Sequence, residues 1–306
     1  MIPPVYYAID NGSSLSPEEF ELWKKEFFQQ LDSDAYELYK FWVSHPERCS
    51  TKVSAYFNAY SDLLSKYRGK SCTLLEIGVM EGGSLLAWKK WLGEKAQVIG
   101  IDANPDAKNY ASSEMKIVVG NQADPSFWHE FFKNNKVDII IDDGGHQYFQ
   151  QVITFYSVLA EAKTKTLLIF EDIGTSFLKD FLKCDTEDSF INFTKQLVDN
   201  LTLRQIFSKR YIDKWNTNIN KELVKRYRWI QNISFYCGIV SMQIDPLANK
   251  PPLYLYNSKR FTKEKDFRHG GDFVGVSFKW PDPVKQRDVT LKGSITRKTG
   301  KVVIIK

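Results

Sequence analysis

The chain of 306 residues has little sulfur chemistry and little histidine, with four cysteines and four histidines in all. Cys49, Cys72, Cys184 and Cys237 lie far apart and show no C-x-x-C or other metal-ligand spacing. Reduced thiols in a reducing compartment are expected, rather than a disulfide framework. No uncharged apolar run approaches the roughly 18 residues that a membrane span needs. The opening stretch MIPPVYYAIDNGSS has no basic segment followed by an apolar one, so no secretory leader is expected. Nothing reads as a nucleic-acid-binding motif. These absences point to a cytoplasmic, soluble protein with no membrane span and no nucleic-acid partner.

What is present suits a packed core. Hydrophobic residues make up 43%, charged residues 26% and aromatics 14%, which argues against disorder. The net charge of +5 is unevenly placed, because residues 246–306 carry 14 Lys+Arg against 5 Asp+Glu. That basic tail is either a solvated surface or a face for an anionic partner such as a phosphate or glycan.

Three helical patterns open the chain. In SLSPEEFELWKKEFFQQL, Ser16 caps, Pro17 takes the first helical position and Glu19 completes a capping box. DAYELYKFWVSH follows, and KVSAYFNAYSDLLSKYRG is read as a third helix ending at Gly69. Their aromatic content suits a contact in a homo-oligomer. From residue 72 strands alternate with helices: CTLLEIGV, AQVIGIDAN, MKIVVGN, VDIIIDDGG and KTLLIFEDIG are the strands. Such alternation predicts an α/β fold with a parallel sheet covered on both faces. Residues 186–230 read as largely helical, NISFYCGIVSMQI as two strands around Cys237-Gly238, and the tail as loop-rich with short strands.

In an open parallel sheet, ligands bind beyond the carboxyl ends of the strands, and here each of those ends carries residues of functional type. The first is LEIGVMEGGS, with Gly78, Gly82 and Ser84 in the turn and Glu76 just before it. The spacing is not G-x-G-x-x-G, and an acid at that point suits a cationic ligand better than a pyrophosphate. S-adenosylmethionine, with its sulfonium and ammonium, therefore fits better than NAD, a purely structural glycine turn being the alternative. Asp102 stands 24 residues after Gly78, the range in which an acid meets a ribose diol. Asn121 and Gln122 end the third strand and are candidates for the adenine edge or for ordinary loop contacts.

The fourth and fifth strand ends supply Asp142, Asp143 and His146, then Glu171 and Asp172. Up to four carboxylates would share one crevice, where repulsion and burial raise their proton affinity. A divalent cation would resolve the conflict. All-oxygen ligands with no cysteine nearby favour Mg²⁺, with Mn²⁺ or Ca²⁺ as substitutes. The competing reading is that some of these carboxylates cap helices, Asp143 among them. His146 shares the turn and suits a general base, whereas His45, His129 and His269 are read as structural.

The segments LLEIGVMEGGSLLAWKKWLG, VIGIDANP, GNQADPSFW, VDIIIDDGGH and IFEDIGTSF resemble, in order and spacing, metal- and S-adenosylmethionine-dependent sugar O-methyltransferases. The likeness is to the macrolide deoxysugar type and to cephalosporin hydroxylase-like sequences, and covers residues 51–244. It implies a Rossmann-like class I methyltransferase fold: a mostly parallel, seven-stranded sheet with an N-terminal helical extension (1–50), a methyltransferase domain (51–245) and an irregular C-terminal tail (246–306). It also implies Asp143, Glu171 and Asp172 as metal ligands and His146 as the base. Glu76, Gly78, Asp102, Gln122 and Tyr56 would attend the cofactor, with Gly82, Ser84, Asn121 and Asp142 grouped beside them.

The sequence departs from the family pattern at Asn121, at Gly145, where serine is usual and whose flexibility is expected to loosen the turn, and at Cys237-Gly238. The implied reaction is methylation of a sugar hydroxyl on a glycan, nucleotide sugar or glycosylated natural product, as in polysaccharide biosynthesis. A catechol-type O-methyltransferase, an NAD-dependent oxidoreductase and a non-catalytic glycan-binding protein are the competing readings.

Overall fold

The computed structural model describes residues 16–181, 189–206, 227–248, 271–279 and 288–295. His269, Cys184 and most of the basic tail lie outside these residues. The chain divides into two compact units, Met1–Pro252 and Leu253–Lys306. In the second, β8 (Gly271–Lys279) and β9 (Asp288–Ile295) pair as an antiparallel ribbon.

The first unit opens with α1 (Pro17–Gln30) and α2 (Ser33–Val43). The capping box is formed: the Glu19 amide donates to Ser16 Oγ at 3.2 Å, and the Ser16 amide donates to Glu19 Oε2 at 2.7 Å. The next helix, α3 (Tyr56–Leu64), is shorter than its pattern suggested. Residues 51–55 precede it as an irregular strap, so Lys52 is not helical. The aromatic residues of the opening helices face inward. Phe27, Phe28, Tyr39, Trp42 and Phe57 form a connected set of ring contacts packed on the core, leaving Leu22 and Trp23 exposed on α1. Burying that aromatic surface is the reason the helices join the domain core rather than standing outside it.

Seven strands form one sheet: β1 (Cys72–Ile77), β2 (Ala96–Asp102), β3 (Lys116–Val119), β4 (Ile139–Asp142), β5 (Thr166–Phe170), β6 (Ile230–Tyr236) and β7 (Ile239–Ile244). Their order is β3-β2-β1-β4-β5-β7-β6. The first five are parallel, while β7 runs antiparallel to both β5 and β6. Cys237 and Gly238 make the tight turn between the last two, with Gly238 at φ 74°. Between the strands run α4 (Gly83–Leu92), α5 (Pro125–Asn134) and α6 (Tyr148–Glu161), and α7 (Phe190–Ile206) follows β5. Each face of the sheet carries its own apolar core: Leu74, Ile139 and Ile141 belong to one, Leu75, Ile140 and Leu168 to the other.

The pairing register is what builds the site. Ile77 of β1 stands opposite Asp142 of β4, and Asp142 opposite Phe170 of β5. The next residue on each strand, Gly78, Asp143 and Glu171, therefore falls in one row past the carboxyl ends. Backbone bonds extend the ladder by that one step, Asp143 N–H to Ile77 C=O and Glu171 N–H to Asp142 C=O, both at 3.0 Å. Gly78 sits there at φ 89°, and a Cβ would lie 2.1 Å from the Asp143 carbonyl oxygen. The nearest atoms are all backbone of Asp143 and Gly144, which leaves no flexible side chain to yield. Replacement Gly78→Ala is expected to lower stability by about 3 kcal/mol or more, read as a drop in the urea midpoint with circular dichroism.

Candidate active site

Successive side chains on a strand point to opposite faces. Asp142 continues the face of Ile140, while Asp143 continues the face of Ile141; Glu76 of β1 and Glu171 after β5 share that second face with Asp143. This alternation divides the acidic strand ends into two environments.

On one side, Asp142 is fully buried. It accepts from Gln122 Nε2 at 3.0 and 3.1 Å and from the Gly144 amide at 3.3 Å. Gln122 Oε1 in turn accepts from the Gly145 amide at 3.1 Å. Gln122 thus braces the 142–145 turn from below, and neither its amide nor Asp142 lines the crevice. The turn carrying Gly145 is not slack: beyond it Gln147 and Gln150 form a capping box that starts α6. Asn121 is exposed and its Oδ1 accepts from the Ala123 amide at 2.9 Å, a local loop contact.

On the other side lies a crevice of about 270 Å³, lined by Lys52, Tyr56, Gly78, Ser84, Asp143, His146, Glu171 and Asp172 among others. The strap before α3 delivers Lys52 into it. Its ammonium, with the side chain 3% exposed, lies 3.1 Å from Glu76 Oε1, 2.6 Å from Asp143 Oδ2 and 3.0 Å from Glu171 Oε2. Glu76 also accepts from Ser84 Oγ at 2.6 Å, and Glu171 from the Tyr60 hydroxyl. Burial by itself would push the Lys52 ammonium down, but Asp143 and Glu171 outweigh it and hold it well above the ordinary lysine range. Burial pushes Glu76 and Glu171 up, only partly offset by Lys52.

Asp172 and His146 complete the rim. Tyr56 donates to Asp172 Oδ1 at 2.5 Å. His146 Nε2 lies 3.5 Å from Asp172 Oδ2 and 3.9 Å from Asp143 Oδ1, while its Nδ1 is buried with no hydrogen-bond partner. Three described residues other than glycine have positive φ: Met80 (50°), His146 (53°) and Asp172 (52°), and all three line this crevice. Such backbone is costly and gathers where side chains must be aimed. The carbonyl of His146 accepts from Thr175 Oγ1 at 3.2 Å, which holds the bend.

Of the residues expected in the cofactor half, Gly78, Ser84 and Tyr56 line the crevice, and Glu76 is buried behind them on Lys52 and Ser84. Gly82 shapes the same turn at φ 79°. Asp102 ends β2, where its carboxylate accepts from the amides of Val79 and Asn104, both at 2.8 Å. Of the proposed metal ligands, Asp143 and Asp172 turn toward each other with His146, whereas Glu171 faces Lys52 and Tyr60. His45 and His129 lie elsewhere, against Glu47 and Glu161. Lys52 and Tyr60 were not singled out from sequence. The signal that points to Lys52 is electrostatic: a lysine on the segment entering the domain, facing carboxylates that need a counter-charge.

The donors fit a hard divalent cation. Asp143, His146 and Asp172 can each offer one atom within 4.8 Å of the others, and three carboxylates line the crevice with one ammonium, Glu76 being buried behind it. The glycine turn, with Glu76 and Ser84 behind it and Asp102 beyond, fits a nucleoside-bearing cationic cofactor.

The fold is that of the class I methyltransferases. The chain is 29% identical over 159 residues to 8-demethyl-8-alpha-L-rhamnosyl tetracenomycin-C 2'-O-methyltransferase of Streptomyces olivaceus, covering 49% of this chain and 42% of that one. It is 27% identical over 160 residues to demethylmacrocin O-methyltransferase of Streptomyces fradiae, covering 48% and 40%. Mycinamicin VI 2''-O-methyltransferase of Micromonospora griseorubida matches at 28% over 123 residues, covering 38% and 30%. The aligned part thus spans less than half the length of these curated relatives. No protein-family model matches the chain. Among solved structures, the MycE methyltransferase of the mycinamycin pathway in complex with Mg and SAH superposes with a TM-score of 0.58 at 17% identity, covering 76% of this chain and 59% of that one. The same enzyme with Mg, SAH and mycinamycin VI gives 0.57 at 17% identity, covering 76% and 58%. These similarities bear out the resemblance to the sugar O-methyltransferases.

Asp142 offers a check on the two environments. Burial pushes its carboxyl from 3.8 up to about 6. A folded value above the unfolded one means that the folded state takes up the proton first, so this group's contribution to stability grows as pH falls from 7 toward 4. The parent should gain up to about 3 kcal/mol relative to Asp142→Asn over that window, read from urea midpoints against pH. Parallel curves for the two proteins would contradict it.

Proposed function

We propose that the chain is an S-adenosylmethionine- and Mg²⁺-dependent O-methyltransferase acting on a sugar hydroxyl of a glycosylated small molecule, nucleotide sugar or glycan. The observation that carries this is the single row of strand ends, which sets the glycine turn at Gly78 beside Asp143 and His146. Similarity to three sugar O-methyltransferases supports the substrate class. Residues 51–245 hold the proposed catalytic machinery, with the helices before them completing its core. Among the described residues no helix is long and apolar enough to cross a membrane, and Cys49, Cys72 and Cys237 are free thiols, in keeping with work in the cytoplasm.

In this reading the turn 78–84 receives the cofactor and Asp102 accepts from its ribose. Asp143, Glu171 and Asp172 would hold the cation, Glu171 being paired with Lys52 behind it. The cofactor supplies the methyl group, and the cation lowers the pKa of the acceptor hydroxyl. His146 Nε2 would hold the proton lost by the acceptor hydroxyl when the methyl passes from sulfonium to oxygen and the cofactor departs as its thioether, with the Asp172 carboxylate 3.5 Å away to stabilise the imidazolium. Tyr56, donating to Asp172, keeps that carboxylate turned to the histidine. Much of the rate would come from holding oxygen and methyl in line in the crevice.

The test is methyl transfer followed by mass spectrometry, with S-adenosylmethionine, Mg²⁺ and a panel of nucleotide sugars, glycosides and catechols. Transfer to a sugar is expected, and His146→Gln should lower kcat by about 10²-fold or more with little change in cofactor affinity. Thorough treatment with EDTA should abolish turnover, and Mg²⁺ should restore it. Transfer to catechols alone would overturn the substrate class, and full activity in EDTA the role of the cation.

A further inference from the structure

His146 lines both the acidic crevice and a second, smaller space between α6 and the segment that follows Asp172. Its Nε2 lies 3.5 Å from Asp172 Oδ2, while its Nδ1 is buried and bonded to nothing. Gln151, 1% exposed on the first turn of α6, lines the second space, and neither atom of its amide group is paired. Among the described residues five buried side-chain nitrogen and oxygen atoms have no hydrogen-bond partner, and three of the five belong to these two residues. The neighbouring glutamines are engaged elsewhere, since Gln147 and Gln150 close the capping box of α6.

From this juxtaposition we infer that Gln151 is a positioning residue: its Oε1 accepts from His146 Nδ1–H and fixes the ring in the tautomer that leaves Nε2 free to take a proton. The inference rests on the reading of His146 as the base and extends it to what keeps that base in its working form. A buried polar atom left unpaired costs about 1–3 kcal/mol, so two such groups that line one space are stabilised by pairing. The space is too narrow for a water molecule, so a bond across it is direct. Two hydroxyls of the same wall are already engaged: Thr175 Oγ1 donates to the carbonyls of His146 and Asp172, and Ser176 Oγ accepts from the Ile191 amide. Thr175 holds the backbone at His146, and the Gln151 amide is fixed in the helix by the Gln147 carbonyl at 3.1 Å. Pairing therefore requires only rotation of the two side chains.

The need for such an acceptor is electrostatic. Nε2 stands against two carboxylates, Asp172 at 3.5 Å and Asp143 at 3.9 Å, and these draw the proton of a neutral ring to Nε2. A ring protonated there has no lone pair to offer the acceptor hydroxyl. The hydrogen bond made by one ring nitrogen decides which nitrogen carries the proton, and an acceptor at Nδ1 offsets the pull of the two acids.

With four histidines in the chain the tautomer can be read directly. In protein labelled with ¹⁵N-histidine and saturated with S-adenosylhomocysteine and Mg²⁺, the ring nitrogens are observed by long-range ¹H–¹⁵N correlation at alkaline pH. His146 is assigned from the spectrum of His146→Gln. The parent is expected to carry the ring proton on Nδ1. Gln151→Met, close in shape but without the amide acceptor, should move it to Nε2 and lower kcat by about 10- to 100-fold, with KM and cofactor affinity unchanged. Gln151→Glu keeps an acceptor oxygen whether or not it is ionised, and should restore the proton to Nδ1 together with most of the turnover.

A parent ring protonated on Nε2 would overturn the inference, and that spectrum needs no variant of Gln151. So would a folded Gln151→Met whose ring matches the parent's, whatever its rate. Turnover at the parent's rate in His146→Gln would instead overturn the base itself. The ring signals are read without turnover, so the two failures are told apart.

Discussion

The ion cluster of Lys52 with Glu76, Asp143 and Glu171 is the constraint on which the rest of the site depends. Parallel strands bring their carboxyl ends together, and here three of those ends place a carboxylate on the same face. Without a cation at their centre the carboxylates would repel one another in a place almost free of water, and burial would drive protons onto them. The ammonium removes most of that cost and converts repulsion into a rigid anchor. Because the lysine comes from the strap before α3, the same interaction also fastens the N-terminal helices to the sheet. The site and the packing of residues 16–65 are in this sense one structure.

A second constraint is backbone geometry. The row formed by Gly78, Asp143 and Glu171 exists because β1, β4 and β5 end in register, and it persists because Gly78 has no side chain to strike the Asp143 carbonyl. Beyond that row, Met80, His146 and Asp172 bend the chain into left-handed conformations that ordinary residues avoid. Each bend is held by neighbours: His146 through Thr175, and Asp172 through Tyr56, whose hydroxyl also accepts from the Asp172 amide at 3.2 Å. Stability elsewhere in two well-filled cores sustains this local strain at the place where ligands are handled.

Much of this was legible in the residue pattern. Apolar runs ending in acids and glycines located all five parallel strands, and the hairpin around Cys237-Gly238 was readable from its turn. Asp143, His146, Glu171 and Asp172 announced themselves as a cluster because consecutive crossover strands are usually neighbours. Even the different fates of Asp142 and Asp143 follow from the two-residue period of a strand, once it is known which face holds the crevice. Gln122 was harder: its residue type suits an adenine contact as well as the brace under Asp142 that the structure shows, and only the packing distinguishes them. The N-terminal aromatics had the same ambiguity, a stripe of rings being equally suited to a partner's surface and to the domain's own core.

What the sequence by itself determined is the order of elements, the parallel sheet and the chemical character of each strand end, since these rest on local periodicity and on residue type. What only the tertiary structure decided is which charges meet. Lys52 stands 24 residues before Glu76, 91 before Asp143 and 119 before Glu171. It precedes a helix whose start the pattern placed too early. No local rule ties a lysine in an irregular strap to carboxylates so distant in the chain. The pairing arises because folding leaves a negative pocket at the sheet's end and carries one tethered cation into reach of it.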